Sequence, residues 1–181
     1  MVRALLSYSR VDRGGVPHPG VELAKAVAVA RGDLSLLEKE VAACVLCDDL
    51  PLVHGDLEQL VQVFQNLLSN ALKHRPDGVP RVRIGWSKLV DKERLARHDG
   101  GFDYAVMEVA DNGIGIDQRY SEKIFEIYQR LHSSLEYEGN GIGLALCQKI
   151  IRKHRGEIWV SSRLAHGATF DSRRRERLAL S

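Results

Sequence analysis

The stretch Leu57–His74, LEQLVQVFQNLLSNALKH, carries the strongest helical pattern in this chain of 181 residues. Its apolar residues recur at steps of three and four, which predicts an amphipathic helix with one face against a core. Asp56 stands just before it and is the expected N-cap. Asn66, Asn70 and Lys73 follow one another at steps of four and three, so they share one face of this helix beside the apolar stripe.

Two amides and an ammonium in a row suit a magnesium–phosphate group. An amide oxygen of Asn66 or Asn70 can bind the metal, and Lys73 can contact the phosphate. The alternative is an ordinary solvated helix face, and a motif this short does not decide between the two.

A second motif, Asp111-Asn112-Gly113-Ile114-Gly115-Ile116, follows an alternating stretch at 102–111 that predicts a strand. Asp111 has the same parity as Val109 and Met107, so it is expected to point toward the buried side. A buried carboxylate needs a donor, and an adenine amino group would serve. Glycines here let the backbone turn sharply and approach a ligand. The alternative is a glycine-rich turn capped by the aspartate.

A third motif, Gly139-Asn140-Gly141-Ile142-Gly143-Leu144, opens a predicted helix that runs to about His154. Free N–H groups and the positive end of the dipole make such a helix start an anion site. The motif is neither a Walker loop nor a dinucleotide fingerprint, because Gly-Lys-Ser/Thr does not follow and no βαβ unit begins here. The alternative is a flexible loop before a helix.

Between the glycine motifs, a helical stretch is predicted near Gln118–Leu131. Arg130 lies in it, and an arginine beside a phosphate site can stabilise transferring charge. For Phe125 and Tyr128 in the same stretch, the favoured interpretation is that they are simple packing residues.

Composition excludes several classes of protein. Lys and Arg number 26 against 24 Asp and Glu, and a net charge of +2 argues against a dedicated nucleic-acid binder. No apolar run is long enough for a membrane helix, and the first residues lack the pattern of a secretory signal. Three cysteines favour a reducing, cytoplasmic setting. Cys44 and Cys47 are too few to complete a zinc site, so a buried structural role is expected for them.

The remaining segments are divided by composition. Residues 1–11 are interpreted as the end of a helix, 12–20 as a linker, 21–171 as the main domain and 172–181 as a charged tail. A helix is expected from Val21 to about Glu40, and short strands over 41–47, 82–86 and 157–163. Charged residues follow Phe170 and cannot bury one face, so the last edge of the sheet is expected to be short or frayed.

The order of these motifs resembles the ATP-binding domain of sensor histidine kinases, a family grouped with the type II topoisomerase, mismatch-repair and chaperone ATPases. The resemblance covers about residues 20–170. The segments LLSYSRV and QLVQVFQNLLSNALKHR look most like the phytochrome-related subgroup. The resemblance implies a two-layer α/β sandwich, with a mixed sheet, helices on one of its faces, and ATP between the helices and a lid at roughly Gln118–Gly139.

The resemblance also implies a role for each matched position. Asn70 matches the magnesium-binding asparagine, with Asn66 one turn earlier. Lys73 matches the lysine that contacts phosphate, His74 the ring near adenine, and Asp111 the aspartate that reads the adenine amino group. The other matched positions belong to two glycine boxes, the F box and the surroundings of the base: Gly113, Gly115, Ile116, Phe125, Arg130, Gly139, Gly141, Gly143, Leu144 and Thr169.

Asn66 also discriminates between activities. The hydrolysing ATPases of the superfamily place a glutamate there to activate water, and an amide cannot act as a general base. The implied function is therefore transfer of the γ-phosphate of ATP to a histidine on a dimerisation domain, with magnesium, Lys73 and Arg130 stabilising charge. A response regulator is the further partner that the family implies.

Some features depart from the family. None of the seven histidines stands in the setting of a phosphoacceptor, and Ala165 replaces a usual glycine. Residues 1–11 are interpreted as the end of a dimerisation hairpin, so the acceptor is expected outside this chain, the chain alone is expected to be monomeric, and the full-length protein a homodimer. Two alternatives stay open: a nucleotide-gated ATPase clamp, which Asn66 disfavours, and a non-catalytic nucleotide-sensing module, which the altered end after Phe170 leaves open.

Overall fold

The computed structural model describes residues 2–13, 15, 17–74, 78–88, 104–129 and 141–175. Its elements run in the order α1 Val2–Arg10, β1 His18–Glu22, α2 Leu23–Asp33, α3 Ser35–Glu40, β2 Cys44–Cys47, β3 Leu52–Gly55, α4 Leu57–Lys73, β4 Arg81–Lys88, β5 Tyr104–Asp111, α5 Gly143–Lys153, β6 Glu157–Ser162 and β7 Ala168–Arg175. Short 3-10 turns occupy Val11–Arg13, Gln118–Tyr120 and Lys123–Phe125.

Within the described residues, the main sheet has five strands in the order β2-β4-β5-β7-β6. The β2–β4 pair is parallel and the other three pairs are antiparallel, so the sheet is mixed. A separate antiparallel pair joins β1 to β3. Residues of α2, α4 and α5 such as Leu23, Leu68 and Ile150 are fully buried in one core with Ile84 of β4. The predicted two-layer sandwich is confirmed.

Helix α4 forms as its pattern predicts. Asp56 accepts a hydrogen bond from the Gln59 N–H at 3.0 Å, which satisfies a donor at the helix start. The buried positions form the expected stripe, and the helix ends where the His74 N–H donates to the Asn70 carbonyl at 2.8 Å. The apolar stripe therefore fixes which polar residues of α4 face away from the core.

Strand β7 lies inside the sheet, between β5 and β6, and runs to Arg175. The expectation of a short or frayed edge is therefore wrong. Pairing on both sides satisfies the backbone of β7, so the strand does not depend on an alternating apolar pattern. Ser172 is buried on the helix side, and Asp171 lies on the open side between its strand partners Glu108 and Trp159.

Two other sequence predictions are wrong in their bounds. The linker at 12–20 already contains the start of β1 at His18. The single helix expected from Val21 to Glu40 starts later, because Val21 and Glu22 pair with β3. It is also divided into two helices, because the chain turns at Leu34. The Leu34 N–H is shared between the Ala30 and Arg31 carbonyls, as at a helix end.

The helix expected over Gln118–Leu131 is also wrong over its described part, which holds two 3-10 turns. Asp117 accepts from the Arg119 N–H at 3.0 Å and closes a local turn in place of a helix start. Only Ile124 and Phe125 of this stretch are buried among the described residues, so no apolar stripe exists to hold a longer helix against the core.

The cysteines Cys44 and Cys47 are exposed, so the prediction that they are buried is wrong. They stand three residues apart on β2 and therefore on opposite faces of the strand. Among the described helices, none combines the length and the apolar character that crossing a bilayer requires.

The end of α1 is held against α5 by two lysines. The Lys149 ammonium lies 2.8 Å from an Asp12 carboxylate oxygen, 3.1 Å from the Tyr8 carbonyl, and 4.4 Å from the centre of the Tyr8 ring. Lys153 donates to the Val11 carbonyl at 2.7 Å. Cations at a helix C-terminus offset the negative end of its dipole, so these contacts fasten α1 to the helix that follows the second glycine motif.

Candidate nucleotide site

Asp111 stands at the end of β5 and anchors one side of the candidate site. Its Oδ1 accepts from the Gly113 N–H at 2.7 Å and the Ala168 N–H at 3.2 Å. Burial raises the pKa of this carboxyl, and the two hydrogen bonds oppose that rise. Both bonds use Oδ1, and no donor among the described residues reaches Oδ2. That second oxygen can accept a hydrogen bond from a ligand, as adenine recognition requires.

The first glycine turn fits closely between α4 and the β6–β7 hairpin. A side chain at Gly113 would overlap the His74 carbonyl oxygen, and one at Gly115 would overlap the Arg163 carbonyl oxygen. Gly115 also has a φ of +72°, which favours glycine. The Ile114 N–H donates to the His74 carbonyl at 3.1 Å, so His74 contacts the turn through its backbone.

The hairpin that joins β6 to β7 closes the same turn from the other side. The Ala165 N–H donates to the Ile114 carbonyl at 2.8 Å. Gly167 has a φ of +83°, and a side chain there would overlap the carbonyl oxygen of Asp111. The usual glycine position occupied by Ala165 has a φ of +61°, so this alanine adopts the left-handed conformation despite its Cβ.

The second glycine motif lies against the polar face of α4. A Cβ at Gly143 would stand 2.7 Å from Oδ1 of Asn66, and Nδ2 of Asn66 donates to the Gln62 carbonyl at 2.7 Å. Ile142, at the N-cap position of α5, gives no side-chain hydrogen bond to the helix start. Among the described residues, no side chain caps the first N–H groups of α5, so these groups can bind an anion. Leu144 packs against the core beside them.

Asn70 and Lys73 continue the face of α4 that begins at Asn66. Asn70 is half-buried, and Lys73 is exposed at the last turn of the helix. Together with the start of α5, they form a row of amide, ammonium and backbone N–H groups. These donor and acceptor types fit a magnesium–triphosphate, with oxygen for the metal and positive charge for the phosphates.

Gly141 connects this row to the segment after the first motif. Gly141 has a φ of +63°, and its carbonyl accepts from the Tyr128 N–H at 2.8 Å. Phe125 is buried in the core, as expected for a packing residue. Arg130 and Gly139 lie outside the described residues.

Thr169 is not brought to Asp111. It pairs with Ala110 of β5 and Ser161 of β6, and its neighbours Ala168 and Phe170 are buried on the helix side. Alternation along β7 therefore puts Thr169 on the opposite face of the sheet. The residue beside Asp111 is Ala168, which contributes its backbone N–H.

One contact at the candidate site was missed by sequence reasoning. The Ile116 N–H donates to the Ser162 hydroxyl at 2.8 Å, and that hydroxyl donates to the Gly167 carbonyl at 2.6 Å. Nothing in the pattern distinguished Ser162 from Ser161. A cavity of about 250 Å³ lies beside this contact, lined by Ile116, Gln118, Ser121, Val160, Ser161 and Ser162.

Comparison with known proteins gives several matches. Cyanobacterial phytochrome A from Nostoc sp. is 42% identical over 170 residues, which are 94% of this chain and 21% of the phytochrome. The adaptive-response sensory kinase SasA from Thermosynechococcus vestitus is 40% identical over 122 residues, 67% of this chain and 29% of that kinase. The chain therefore spans about a fifth of the length of the phytochromes it matches. The predicted likeness to phytochromes is confirmed.

Solved structures share the fold. The mycobacterial sensor histidine kinase MprB has a TM-score of 0.68 at 23% identity, over 90% of this chain and 99% of that one. Full-length ShkA, in a complex with AMPPNP, has a TM-score of 0.72 at 20% identity, over 98% of this chain and 36% of ShkA. The family model described as histidine kinase-, DNA gyrase B-, and HSP90-like ATPase matches residues 55–174. The chain thus belongs to this family of histidine kinase-, DNA gyrase B- and HSP90-like ATPases.

Proposed function

We propose that this chain is the ATP-binding catalytic unit of a two-component histidine kinase, which transfers the γ-phosphate of ATP to a histidine on a dimerisation domain outside the chain. The observation that carries the proposal is the meeting of three elements: the amide-bearing face of α4, the start of α5 and the carboxylate at the end of β5. The phytochrome and SasA relatives support a kinase, because SasA is named a sensory kinase.

The proposed ligand positions follow from the chemistry of each group. The adenine amino group donates to Oδ2 of Asp111. The first N–H groups of α5 and the Lys73 ammonium hold the phosphates, and the amide oxygen of Asn70 binds magnesium. Magnesium supplies the positive charge that offsets charge on the transferring phosphoryl group. Arg130 is proposed to add to this charge.

Asn66 favours transfer to a protein side chain over hydrolysis. Its side chain has no basic group, so it cannot take a proton from water. Its Nδ2 already donates to the Gln62 carbonyl, which holds the amide against Gly143. Catalysis then consists of positioning the nucleotide and stabilising charge, and the acceptor histidine supplies the nucleophile.

The N-terminal helix is proposed to be the end of a dimerisation hairpin, over residues 1–11. The catalytic unit predicted at 21–171 follows it, and its strands extend those bounds to His18 of β1 and to Arg175 of β7. The attachment of the N-terminal helix to α5 through Lys149 and Lys153 supports the hairpin assignment, since it gives the hairpin a direct contact with the helix at the phosphate site. The proposed partners are the histidine-bearing domain, a response regulator and a second copy of the full-length protein, in the cytoplasm.

The two other functions lose support. The clamp ATPases require a base where Asn66 stands. The sensing module rested on the altered end after Phe170, and β7 is continuous there.

The test has two stages. Calorimetry should detect binding of ATP with magnesium to the parent chain. The chain is then incubated with labelled ATP, alone and with a histidine-bearing hairpin domain from a phytochrome relative. Acid-labile phosphate on the added hairpin domain supports the kinase. The control is a hairpin domain that lacks the histidine, which should stay unlabelled. Binding without transfer indicates a sensing module, and release of inorganic phosphate without transfer indicates a clamp ATPase.

A further inference from the structure

We propose that Ser162 is a positioning residue that sets the geometry of the base pocket, and thereby the preference for adenine over a purine that lacks the amino group. This inference rests on the proposed function, because it assigns Asp111 to the base. It adds a residue from β6, a strand that none of the predicted site residues occupies.

The Ser162 hydroxyl joins the two backbone segments that surround Asp111. It accepts from the Ile116 N–H at 2.8 Å and donates to the Gly167 carbonyl at 2.6 Å. A serine hydroxyl has one proton to donate, so its direction is fixed by the Gly167 carbonyl, and a lone pair remains for Ile116. One side chain therefore holds the glycine turn and the hairpin in register.

Both of those segments contact the carboxylate of Asp111. Gly113, at the start of the turn, donates its N–H to Oδ1 at 2.7 Å. Ala168, directly after Gly167, donates its N–H to the same oxygen at 3.2 Å. The rotation of the carboxylate, and with it the direction of Oδ2, is thus set by two donors whose spacing the Ser162 hydroxyl helps to fix.

The phosphate groups of the site lie on other elements. Asn66, Asn70 and Lys73 belong to α4, and the anion site is the start of α5. None of the described hydrogen bonds of Ser162 reaches these groups. Loss of the hydroxyl should therefore weaken recognition of the base and leave binding of the triphosphate almost unchanged.

The surroundings of Ser162 allow a matched set of variants. The cavity of about 250 Å³ beside it offers space for one methyl group, so Ser162→Thr keeps the hydroxyl and suits a strand. Ser161 precedes it, is exposed, and lies on the other face of β6, so Ser161→Ala is the control for removing a hydroxyl from this strand.

The experiment measures binding of ATP and of inosine triphosphate, which carries a carbonyl in place of the amino group. The parent chain, Ser162→Ala, Ser162→Thr and Ser161→Ala are titrated with both nucleotides in magnesium buffer. We expect Ser162→Ala to lose about tenfold in affinity for ATP, the scale of one hydrogen bond, and less than twofold for inosine triphosphate. Ser162→Thr and Ser161→Ala should keep the parent chain's ratio of ATP affinity to inosine triphosphate affinity.

Amide hydrogen exchange gives a readout without ligand. The protection of the Ile116 N–H against hydrogen exchange should fall in Ser162→Ala and should remain at the level of the parent chain in Ser162→Thr. Where the alanine variant does not fold, Ser162→Cys replaces it, since its thiol is a weak donor of similar size.

Two outcomes overturn the inference: an unchanged ratio of ATP to inosine triphosphate affinity in the hydroxyl-lacking variant, or an equal loss for both nucleotides. A parent chain that binds ATP and inosine triphosphate equally would instead refute the assignment of Asp111 to the base, on which this inference rests. A parent chain that binds neither nucleotide refutes the proposed function itself.

Discussion

The two sides of the candidate site are built differently. The base side consists of Asp111, the turn at 113–116 and the hairpin at 162–168, and its glycines face backbone atoms of other segments. The phosphate side consists of the polar face of α4 and the start of α5, where Gly143 faces the side chain of Asn66. Backbone fits backbone on the base side. On the phosphate side a rotatable side chain meets Gly143 at the start of α5, and Gly141, just before that helix, faces the backbone of Tyr128 and Gln129.

This difference predicts different consequences for substitutions. Backbone held by hydrogen bonds on both sides cannot move to admit a Cβ, so the base side is organised before a ligand binds. The phosphate side can adjust by rotating amide and ammonium side chains, at a cost of about 1 kcal/mol each. Substitutions on the base side should therefore disturb stability and affinity together, and those on the phosphate side should mainly disturb transfer.

The largest expected effect separates two glycines. Gly115→Ala places a Cβ on the Arg163 carbonyl at a φ of +72°, and we expect a loss of at least about 2 kcal/mol in the free energy of unfolding. Gly143→Ala meets only the Asn66 side chain at a helix start, so its loss should be smaller than about 1 kcal/mol. Urea denaturation of both variants measures the difference. Equal losses would show that the base side is no more rigid than the phosphate side.

The second effect concerns the charge of Asp111. In Asp111→Asn the amide oxygen is taken by the Gly113 and Ala168 N–H groups, so its NH₂ faces the adenine amino group, donor against donor. We expect a loss of about 100-fold in ATP affinity, the scale of an unsatisfied buried donor. Calorimetry measures it, and an unchanged affinity would remove Asp111 from the site.

The same carboxylate predicts a dependence on pH. Burial raises the pKa of Asp111 above the ordinary value of 3.8, so ATP binding should weaken as the pH falls, beginning above that value. The protonated carboxyl loses an acceptor for the adenine amino group. In Asp111→Asn this dependence should be missing, so the variant is the control for a titration that runs from neutral pH down toward the ordinary value of 3.8.

The sequence was sufficient for the elements that depend on local patterns. Asp56 and the stripe of α4 fixed that helix, and the parity of Val109 and Asp111 placed the carboxylate on the buried side. Patterns failed where distant pairing decided the result. The strand β7 is stabilised by two neighbours that its charged sequence does not indicate. The motif that suggests Thr169 for the base does not indicate that the adjacent Ala168 faces Asp111 and that Thr169 faces the other side of the sheet. The contact of Ser162 joins residues 46 apart in the chain, and no local signal marks it.

The third effect tests the phosphate side. Asn70→Ala deletes the proposed magnesium ligand, so we expect transfer to a supplied hairpin domain to be abolished while ATP affinity falls less than about tenfold. Ser69→Ala is the control, because it lies on the same turn of α4 about 100° around the axis. Full transfer in Asn70→Ala would remove the magnesium role from this helix.

The smallest expected effect concerns the reverse face of the strands that carry the base side. There Asp171 of β7 lies opposite Glu108 of β5, and burial followed by this like charge raises the pKa of Asp171 to about 6, while the Trp159 indole opposes the rise. Because the pKa of Asp171 in the folded state is above the ordinary value of 3.8, the folded state binds more protons than the unfolded state at pH values between 3.8 and about 6. The free energy of unfolding must then fall as the pH rises from about 4 to about 6, and this loss of stability persists at higher pH.

Asp171→Asn removes this charge and keeps an acceptor for the indole N–H. Since Asp171 is only half-buried, solvent screening reduces the gain to about 1 kcal/mol at pH 7, which corresponds to a rise of about 2–4 °C in Tm. At pH 4 the parent carboxyl is already protonated, so the two chains should melt together. Glu108→Gln should give part of the same gain, and the double variant should give less than the sum, because both changes remove one repulsion. Equal stabilisation at pH 4 and pH 7 would show that the introduced asparagine stabilises through packing, and the strands behind the base side would then carry no electrostatic strain.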